Sequence, residues 1–340
     1  MDIRNRIVAM NNKILTITVP AYNAEKYLDR CLHSFEVPEI LDALEVLVIN
    51  DGSKDSTAEI ASRYVEKYPG TFHLINKENG GHGSGINCGI AHASGKYFKI
   101  VDADDWLNTD ILKQYIGLLR TVDTDIVASD FACVQDGSFK ITRVLKPVSD
   151  EKQYGHIYRF SLDEVHKVIM MHSLTIKTEC LKKVAVPIDE HCFYVDMEYV
   201  MYPIPYVNTV YYDNHVLYMY LLGRAGQSMD VKKKIENIDQ HLRVLHSMEK
   251  YYDAGYTSDP YKKRYMARCA AIIVEDHFQI YISEGYKPEA MKELRQFDQE
   301  LKSSYPDIYH ATEKKSISML RKTDYLILPL GTLAFRIVKG

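Results

Sequence analysis

The first 130 residues alternate short apolar segments with segments that carry apolar residues every three or four positions. Strand-like runs of β-branched residues occur at ILTITVP, LEVLVIN, FHLIN and YFKIVD. Helices are predicted between them, beginning near Ala24, Ser56 and Gly85. Strands that alternate with helices predict an α/β fold with a parallel sheet covered on both faces. A ligand of such a sheet binds at the carboxyl ends of its strands.

The pattern becomes less regular after residue 130. Strand candidates at DIVASDF, SFKITRVL, SLTIKT, TVYYD and HVLYMYLL, with helices near 161 to 171 and 196 to 203, predict a mixed sheet that continues the first one. Residues 1–228 are therefore predicted to form one domain, with halves at about 14–130 and 131–228. From Val231, apolar positions such as Ile235 and Ile238 recur three or four apart, which predicts a helical C-terminal region over 229–340.

Composition and charge exclude several classes of protein. With 42 Lys plus Arg against 46 Asp plus Glu, the formal net charge is -4, so no global field attracts nucleic acid and no nucleic-acid partner is predicted. The six cysteines never form a C-x-x-C pair, which argues against a zinc site or a disulfide framework. The first residues show no signal peptide. A cytoplasmic protein is the expectation.

The last segment, TDYLILPLGTLAFRIVKG at 323–340, is apolar and flanked by Lys and Arg. Such a segment fits a peripheral contact with the inner face of the plasma membrane. A terminal helix that packs on the body of the protein or on a second subunit is the equal alternative. If the protein is a homo-oligomer, the helical region after Val231 is where we expect the subunit contact.

Three carboxylates follow directly after an apolar strand in IVDADDW. Asp102, Asp104 and Asp105 stand within four residues, with Ala103 after the first. Carboxylates this close repel each other unless a cation lies between them. Their oxygens suit Mg²⁺ or Mn²⁺, which keep water and bridge to ligand phosphates. By spacing alone, a solvated acidic turn remains the alternative.

Two further segments place polar residues at predicted strand ends. In VLVINDGSKDST, Asp51 follows the second strand, where it can accept a hydrogen bond from a base or a ribose. In NKENGGHGSGINCGIAHASG, Gly81 lies among several glycines at the entry to a helix. Glycine allows close backbone approach and a helix start favours an anion, although an ordinary loop explains this composition equally well.

Taken in order, these segments resemble the family 2 glycosyltransferases of the GT-A fold. The motifs TVPAYNAEKYLDRCLHSF, VINDGSKDST and KIVDADDW match the family in sequence and spacing, and the resemblance covers roughly residues 14–226. It implies a GT-A nucleotide-sugar-binding domain of the Rossmann-like type. The signature Q-x-x-R-W of processive synthases is missing, so the resemblance is to the non-processive bacterial type.

The resemblance assigns the nucleotide to the first two motifs. Carried over position by position, contacts with the nucleotide base fall on Pro20, Tyr22 and Asn23, with Glu25 as a further member, and Asp51 accepts a hydrogen bond from uracil. The third motif is the D-x-D segment of the family. It implies that Asp102 contacts ribose or metal-bound water, that Asp104 ligates the metal, and that Asp105 lies near the donor sugar.

The chain departs from the family pattern in the glycine-rich segment. Relatives read A-R-N where this chain reads Gly85, Ile86 and Asn87, so the arginine expected near the donor is absent. Lys77 or His82 is the candidate to replace it. The identity of the donor sugar is the property that this departure affects.

The inverting reaction of the family needs a carboxylate base for the acceptor hydroxyl. Relatives supply it from an E-D pair at a helix start, and the matching stretch HCFYVDMEYV has Val195 in place of the glutamate and keeps Asp196. Asp196 is the predicted base. Glu198 is expected to be a helix-face carboxylate that pairs with a cation.

Candidates for contacts with the phosphates lie in YLLGRAGQSMD, which resembles the segment that closes over the pyrophosphate in non-processive relatives. Arg224, Gln227 and Ser228 are candidates to donate hydrogen bonds to phosphate oxygens, and Arg224 is preferred because its guanidinium does so bidentately.

The implied activity is inverting, metal-dependent transfer of one hexosyl group from a nucleotide diphosphate sugar, most readily a UDP-sugar. The acceptor is a hydroxyl in cell-surface polysaccharide, teichoic acid or glycoconjugate assembly, carried on a glycan, a glycoprotein or a lipid. A non-catalytic scaffold that binds a partner glycosyltransferase remains open. A sugar nucleotidyltransferase is disfavoured, because TITVPAYNAEKY lacks the glycine- and arginine-rich signature of that class.

Overall fold

The computed structural model describes residues 13–160, 165, 167–224, 227, 231–284, 288–312 and 314–326. The chain divides into two compact units, Met1–Arg224 and Ala225–Gly340. Within the described ranges, no helix is both long enough and apolar enough to cross a membrane. The apolar, basic tail predicted at 323–340 lies outside the described residues from 327 onward.

A mixed sheet forms the centre of the first unit. Its strands in the described part of the chain are β1 (Leu15–Ala21), β2 (Leu44–Asp51), β3 (Phe72–Lys77), β4 (Tyr97–Ile100), β5 (Trp106–Leu107), β6 (Ile126–Gln135), β7 (Ile141–Leu145), β8 (Ile157–Arg159), β9 (Leu174–Lys177) and β10 (Thr209–Leu222). Their spatial order is β3-β2-β1-β4-β9-β6-β10-β5, with β7 on β6 and β8 on β10. The α/β class with a mixed central sheet is thereby confirmed.

Helices connect these strands. The α-helices of the first unit span Leu28–His33, Thr57–Lys67, His82–His92, Thr109–Thr121, Thr178–Lys182 and Asp196–Met201, and short 3₁₀ helices span Pro38–Ile40, Glu151–Gln153 and Ile204–Tyr206. A side-chain cap marks the start of the helix Thr109–Thr121. Asn108 accepts a hydrogen bond from the Asp110 N–H at 3.2 Å, which satisfies one of the backbone donors left free at a helix start.

Parallel pairing brings the polar loops of the first four strands to one edge of the sheet. In the register of the sheet, Ala21 pairs with Asn50 and Asp51 pairs with Lys77. β4 runs parallel to β1 on its other side and ends at Ile100, two residues before Asp102. β1, β2 and β4 are almost fully buried, whereas β3 is buried only in part. The apolar residues of the three buried strands form the core and fix this alignment.

The helix His82–His92 packs unusually close to β1 because glycines line its inner face. A Cβ atom on Gly89 would lie 2.1 Å from Thr18 Oγ1, and a Cβ atom on Gly85 would lie 2.8 Å from Pro20 Cβ. These two glycines therefore serve helix–strand packing rather than a phosphate loop. Gly81 is different, because it precedes the helix with a φ of 83°, which glycine adopts at little cost.

The second half of the sheet adds the antiparallel strands. β9 pairs antiparallel with β4 and β6, and β10 runs parallel to β6. The segments TVYYD and HVLYMYLL, predicted as two strands, form the single strand β10 with an irregular register at their junction. The helix predicted near 161 to 171 is wrong for residues 167–171, which are not helical, while 161–164 and 166 lie outside the described residues.

The second unit is helical in its described part, which confirms the predicted helical C-terminal region. Its helices span Val231–Glu236, Ile238–Asp253, Pro260–Glu284, Pro288–Ser304, Pro306–Ala311 and Lys315–Lys322. Val244, Leu245 and Met248, at most 1% exposed, form its apolar centre together with Val274 and Phe278. This spacing of three and four along one helix is the pattern from which the region was predicted.

Candidate active site

The segment IVDADDW forms a tight turn at the carboxyl end of β4. The Asp105 N–H donates to Asp102 O at 2.9 Å and closes the turn. The side chains of Asp102 and Asp104 are 25% and 15% exposed, whereas Asp105 and Ala103 are buried. Two of the three carboxylates therefore remain accessible to a ligand.

Asp102 is paired with His82, the first residue of the helix His82–His92. The imidazole Nε2 lies 2.9 Å from Asp102 Oδ1. Burial favours the neutral form of the carboxyl group, but the charge and hydrogen bond of His82 outweigh it and lower the pKa of Asp102. Burial likewise disfavours the imidazolium, yet the carboxylates of Asp102, Asp196 and Asp104 together raise the pKa of His82. The three carboxylates thus favour the protonated form of His82.

Asp104 forms a close ion pair with Arg224, whose guanidinium Nη2 contacts Oδ2 of the carboxylate. The same guanidinium lies over the ring of Tyr27, with Cζ 5.2 Å from the ring centroid. Burial and the nearby Asp102 carboxylate raise the pKa of Asp104, and Arg224 opposes this only in part. The site therefore holds more negative charge than its own residues neutralise.

This charge and donor set fit a divalent cation. Asp102 and Asp104 offer carboxylate oxygens, the ligands that Mg²⁺ and Mn²⁺ take together with water and phosphate oxygens. Burial and the repulsion from Asp102, which together raise the pKa of Asp104, disfavour its charged form, and a bound cation would relieve that cost. Asp102 and Asp104 are the residues that would hold it.

Asp105 points away from the site, so its predicted place near the donor sugar is not what the structure shows. Its Oδ2 accepts from the Tyr218 hydroxyl at 2.6 Å and its Oδ1 accepts from the Leu221 N–H at 2.7 Å. The Asp102 N–H also donates to the Tyr218 oxygen, at 3.2 Å. Asp105 and Tyr218 together anchor the aspartate turn to β10.

Asp51 organises the glycine-rich segment. Its Oδ1 accepts from Lys77 Nζ at 2.8 Å and from the Gly80 N–H at 2.9 Å, and its Oδ2 accepts from the Gly81 N–H at 2.8 Å. Lys77 Nζ also donates to Glu78 O at 2.5 Å. Both oxygens of the Asp51 carboxylate thus accept hydrogen bonds from within the protein, and Lys77 is bonded to Asp51.

The residues after β1 connect two loops of the same edge. Asn23, with φ of 49°, accepts from the Lys54 N–H at 2.9 Å, and Glu25 Oε2 accepts from the Ser56 N–H at 3.1 Å. Their side chains therefore join the first loop to the loop after β2. Tyr22 is 54% exposed and offers a free ring face, while Pro20 packs against Gly85.

Asp196 is the first residue of the helix Asp196–Met201 and is partly exposed. Its charge contributes to the raised pKa of His82 and of Tyr220, so it lies within electrostatic range of the residue that contacts Asp102. Val195 is buried in the position where a glutamate was expected. Glu198 is also buried and accepts from the Asp189 N–H at 2.8 Å and from the Tyr202 hydroxyl at 3.1 Å, so it is a structural carboxylate.

Two side chains that support the site were not anticipated from sequence. Tyr218 holds Asp105 and the Asp102 backbone, and Arg30 donates from Nη2 to Asp104 O at 2.7 Å. Arg30 also lies 4.2 Å from the centroid of the Trp106 ring. Each of these residues contacts a partner more than 70 positions away in sequence, and no sequence motif indicates either pair.

The other two candidates for phosphate contacts, Gln227 and Ser228, belong to the second unit. Gln227 is buried, and Ser228 lies outside the described residues. Arg224 is therefore the candidate whose contact with the site is visible.

Comparison with known proteins groups this chain with glycosyltransferases. A family model described as Glycosyl transferase family 2 matches residues 16–185. A glycosyltransferase of Rickettsia prowazekii, described as uncharacterized, is 27% identical over 242 residues, which is 71% of this chain and 70% of that protein. The putative glycosyltransferase EpsH of Bacillus subtilis is 35% identical over 125 residues, but the alignment covers only 36% of this chain and 35% of EpsH.

Solved structures share the fold along nearly the whole chain. TarS 1-349 of S. aureus in complex with UDP superposes with a TM-score of 0.62 at 17% identity and covers 96% of this chain and 92% of that one. The same fragment with UDP-GlcNAc gives 0.60 at 18% identity and covers 88% and 89%. At such identities the likeness concerns the fold alone. Because the family model matches half of the chain, the chain belongs to glycosyl transferase family 2, and it has the GT-A fold.

Proposed function

We propose that this glycosyltransferase moves a single hexosyl group from a UDP-sugar to an acceptor hydroxyl, with inversion at the anomeric carbon. The observation that carries the proposal is the contact of His82 with Asp102 in the aspartate turn, together with the charges of Asp104 and Asp196 that act on the same ring. An inverting displacement needs a place for the diphosphate and a carboxylate base on the opposite side of the sugar. Asp102 and Asp104 supply the first, and Asp196 supplies the second.

In this scheme the acceptor hydroxyl attacks C1 of the donor sugar. The Asp196 carboxylate takes the proton from the hydroxyl while the bond between C1 and the diphosphate oxygen breaks. Arg224, which pairs with Asp104, is placed to donate to phosphate oxygens and stabilise charge on the departing diphosphate. Asp102 and Asp104 would hold a divalent cation, which would supply Lewis-acid stabilisation of the same charge.

The nucleotide is proposed to lie over the loops that follow β1 and β2. Tyr22 offers an exposed ring for a base. Asp51 fixes Gly80 and Gly81 beside it, and Asn23 and Glu25 hold the two loops together. A uridine nucleotide is favoured because two structures with the same fold are complexes with UDP and with UDP-GlcNAc.

The acceptor class we propose is a hydroxyl in a cell-surface polysaccharide, a teichoic acid or another glycoconjugate, including a lipid-linked glycan. The sequence lacks the Q-x-x-R-W signature of processive synthases. One sugar is therefore expected to be added in each encounter.

The test measures release of nucleoside diphosphate from a panel of UDP-, GDP- and dTDP-sugars with Mn²⁺ or Mg²⁺. We expect slow hydrolysis of one UDP-sugar that stops with EDTA. Asp104→Asn should remove the metal dependence together with the activity. Asp196→Asn should lower turnover by about 10²- to 10⁴-fold, the usual contribution of a general base, while UDP still binds.

The matched control is Asp110→Asn, the same chemical change at an exposed helix start six residues from Asp104. It should retain wild-type turnover and UDP binding. A wild-type protein that neither turns over any nucleotide sugar nor gains thermal stability from UDP with Mn²⁺ would contradict the proposal. That result would favour a scaffold that binds a partner glycosyltransferase.

A further inference from the structure

His82 contacts one of the groups that the proposed reaction uses, and the charge of the other acts on its ring. Its Nε2 is 2.9 Å from Asp102 Oδ1 on the metal side of the site. The Asp196 carboxylate, on the base side, acts on the same imidazole. In an inverting transfer the donor sugar occupies the space between the diphosphate and the base. The ring of His82 therefore borders the space in which the transferred sugar must sit.

The position of this ring is fixed by main-chain packing. Gly81 begins the helix His82–His92 with a φ of 83°. The Gly80 carbonyl accepts from the His191 N–H at 2.5 Å. One residue after His82, a Cβ atom on Gly83 would lie 2.0 Å from Asp189 O. The start of the helix is thus held against the segment that leads to Asp196, and His82 has little freedom to move.

The chemistry of the ring favours a hydroxyl as its partner. Since Nε2 faces a carboxylate, it carries a proton, and Nδ1 has no hydrogen-bond partner among the residues that the structure describes. Nδ1 accepts a hydrogen bond in the neutral ring and donates one in the charged ring. A sugar hydroxyl can pair with it in both states, because a hydroxyl both donates and accepts. A phosphate oxygen can only accept.

Other residues near the glycine-rich segment do not offer the same contact. Lys77 is bonded to Asp51 and Glu78. Ile86, at the position where relatives carry arginine, is fully buried. Asn87 donates from Nδ2 to Ile188 O at 2.9 Å and accepts from the Ile188 N–H at 3.0 Å.

We infer that His82 is a sugar-binding residue, whose Nδ1 forms a hydrogen bond with a hydroxyl of the transferred sugar while Asp102 orients the ring. The inference rests on the proposed function, since it needs a nucleotide sugar in this site. It makes His82 a determinant of donor-sugar specificity and not of nucleotide or diphosphate binding.

The experiment compares the affinity for UDP with the affinity for a UDP-sugar, both measured by calorimetry with Mn²⁺ on the full chain. UDP-GlcNAc, UDP-glucose and UDP-galactose are the sugar probes, and the one that binds wild type most tightly is used. His82→Gln places its amide near Nε2, so it keeps the Asp102 contact and loses Nδ1. His82→Asn places its amide near Nδ1 and retains that contact. His92→Gln, at the exposed far end of the same helix, is the matched control.

In His82→Gln, the Kd for the UDP-sugar should rise about tenfold while the Kd for UDP stays within about twofold, because one hydrogen bond from a polar site to a sugar hydroxyl is lost. His82→Asn should lose clearly less affinity for the UDP-sugar, and His92→Gln should match wild type in its affinity for both ligands. The two His82 variants also protect the test against misfolding, since only a folded protein retains UDP binding.

Equal losses of UDP and UDP-sugar affinity in His82→Gln would overturn the inference, because His82 would then act only through Asp102 on the diphosphate. Unchanged affinity for both ligands in His82→Gln would overturn it as well. In both cases wild type still binds nucleotide, so the proposed function survives. A wild-type protein that binds neither UDP nor any UDP-sugar refutes the proposed function and the inference together.

Discussion

Replacing Gly83 by alanine tests whether close helix packing positions the site. An added Cβ atom would lie 2.0 Å from the Asp189 carbonyl oxygen and 2.9 Å from Ile188 Cγ2. The closest atom belongs to the backbone, so no rotamer change relieves the clash, and the helix must move away from the segment 188–189. Overpacking of this kind costs about 1–3 kcal/mol, and we expect the upper end here.

The same substitution also brings a gain, because alanine is favoured over glycine inside a helix by about 1 kcal/mol. The expected net loss for Gly83→Ala is therefore roughly 2 kcal/mol, which is about 3 less about 1. The control is Gly117→Ala in the helix Thr109–Thr121, where a Cβ atom would meet nothing within 4 Å. There only the helix preference remains, so we expect stabilisation by about 0.5–1 kcal/mol.

The assay is urea unfolding followed by tryptophan fluorescence. Trp106 is the single tryptophan of the chain and lies in the unit that contains both glycines. With an m value of about 2.5 kcal/mol/M, Gly83→Ala should lower the midpoint by roughly 0.8 M and Gly117→Ala should raise it by roughly 0.3 M. Equal shifts in the two variants, or a higher midpoint for Gly83→Ala, would refute the reasoning.

Three further outcomes follow from contacts in the two units. Tyr218→Phe removes the hydroxyl that donates to buried Asp105, so the unfolding free energy should fall by about 1–3 kcal/mol in the same urea assay. Arg224→Lys keeps the charge beside Asp104 but loses the fork-shaped donor, so kcat/KM for the UDP-sugar should fall by roughly 10-fold or more in steady-state assays while the melting temperature stays near wild type. Burial and Asp253 raise the pKa of Glu249 to about 7 from 4.5. The native state thus keeps the proton of Glu249 to a higher pH than the unfolded state does, so the free energy of unfolding falls as pH rises from 4.5 to above 7. At pH 8 this loss should reach up to about 3 kcal/mol, and Glu249→Gln should remove it when the wild type and the variant are melted side by side.

The edge of the sheet at which the site lies could be predicted from the sequence. Asp51 and Asp102 each follow an apolar strand, and parallel strands in register bring their ends together. No structural knowledge beyond that rule was needed. The family and the α/β class followed from the same motifs.

The roles of individual side chains were harder to predict, because they depend on which way each one points. Asp105 stands next to Asp104 in sequence, yet it turns inward to Tyr218 and is buried. Its partner lies 113 positions away, and no local pattern identifies that pair. Gly85 and Gly89 pack closely on β1. The sequence does not indicate this role, because composition alone does not distinguish a glycine-rich loop from a helix that packs closely on a strand.

The irregular register of β10 determines which way Tyr218 faces. Between Asp213 and Tyr218, β10 advances five residues while its partner β6 advances two, from Ser129 to Phe131. The excess of three is odd, and side chains alternate between the two faces of a strand, so the irregularity reverses the facing of every later residue in β10. The length of this small insertion, and not only the residues around it, is thus part of what builds the aspartate turn.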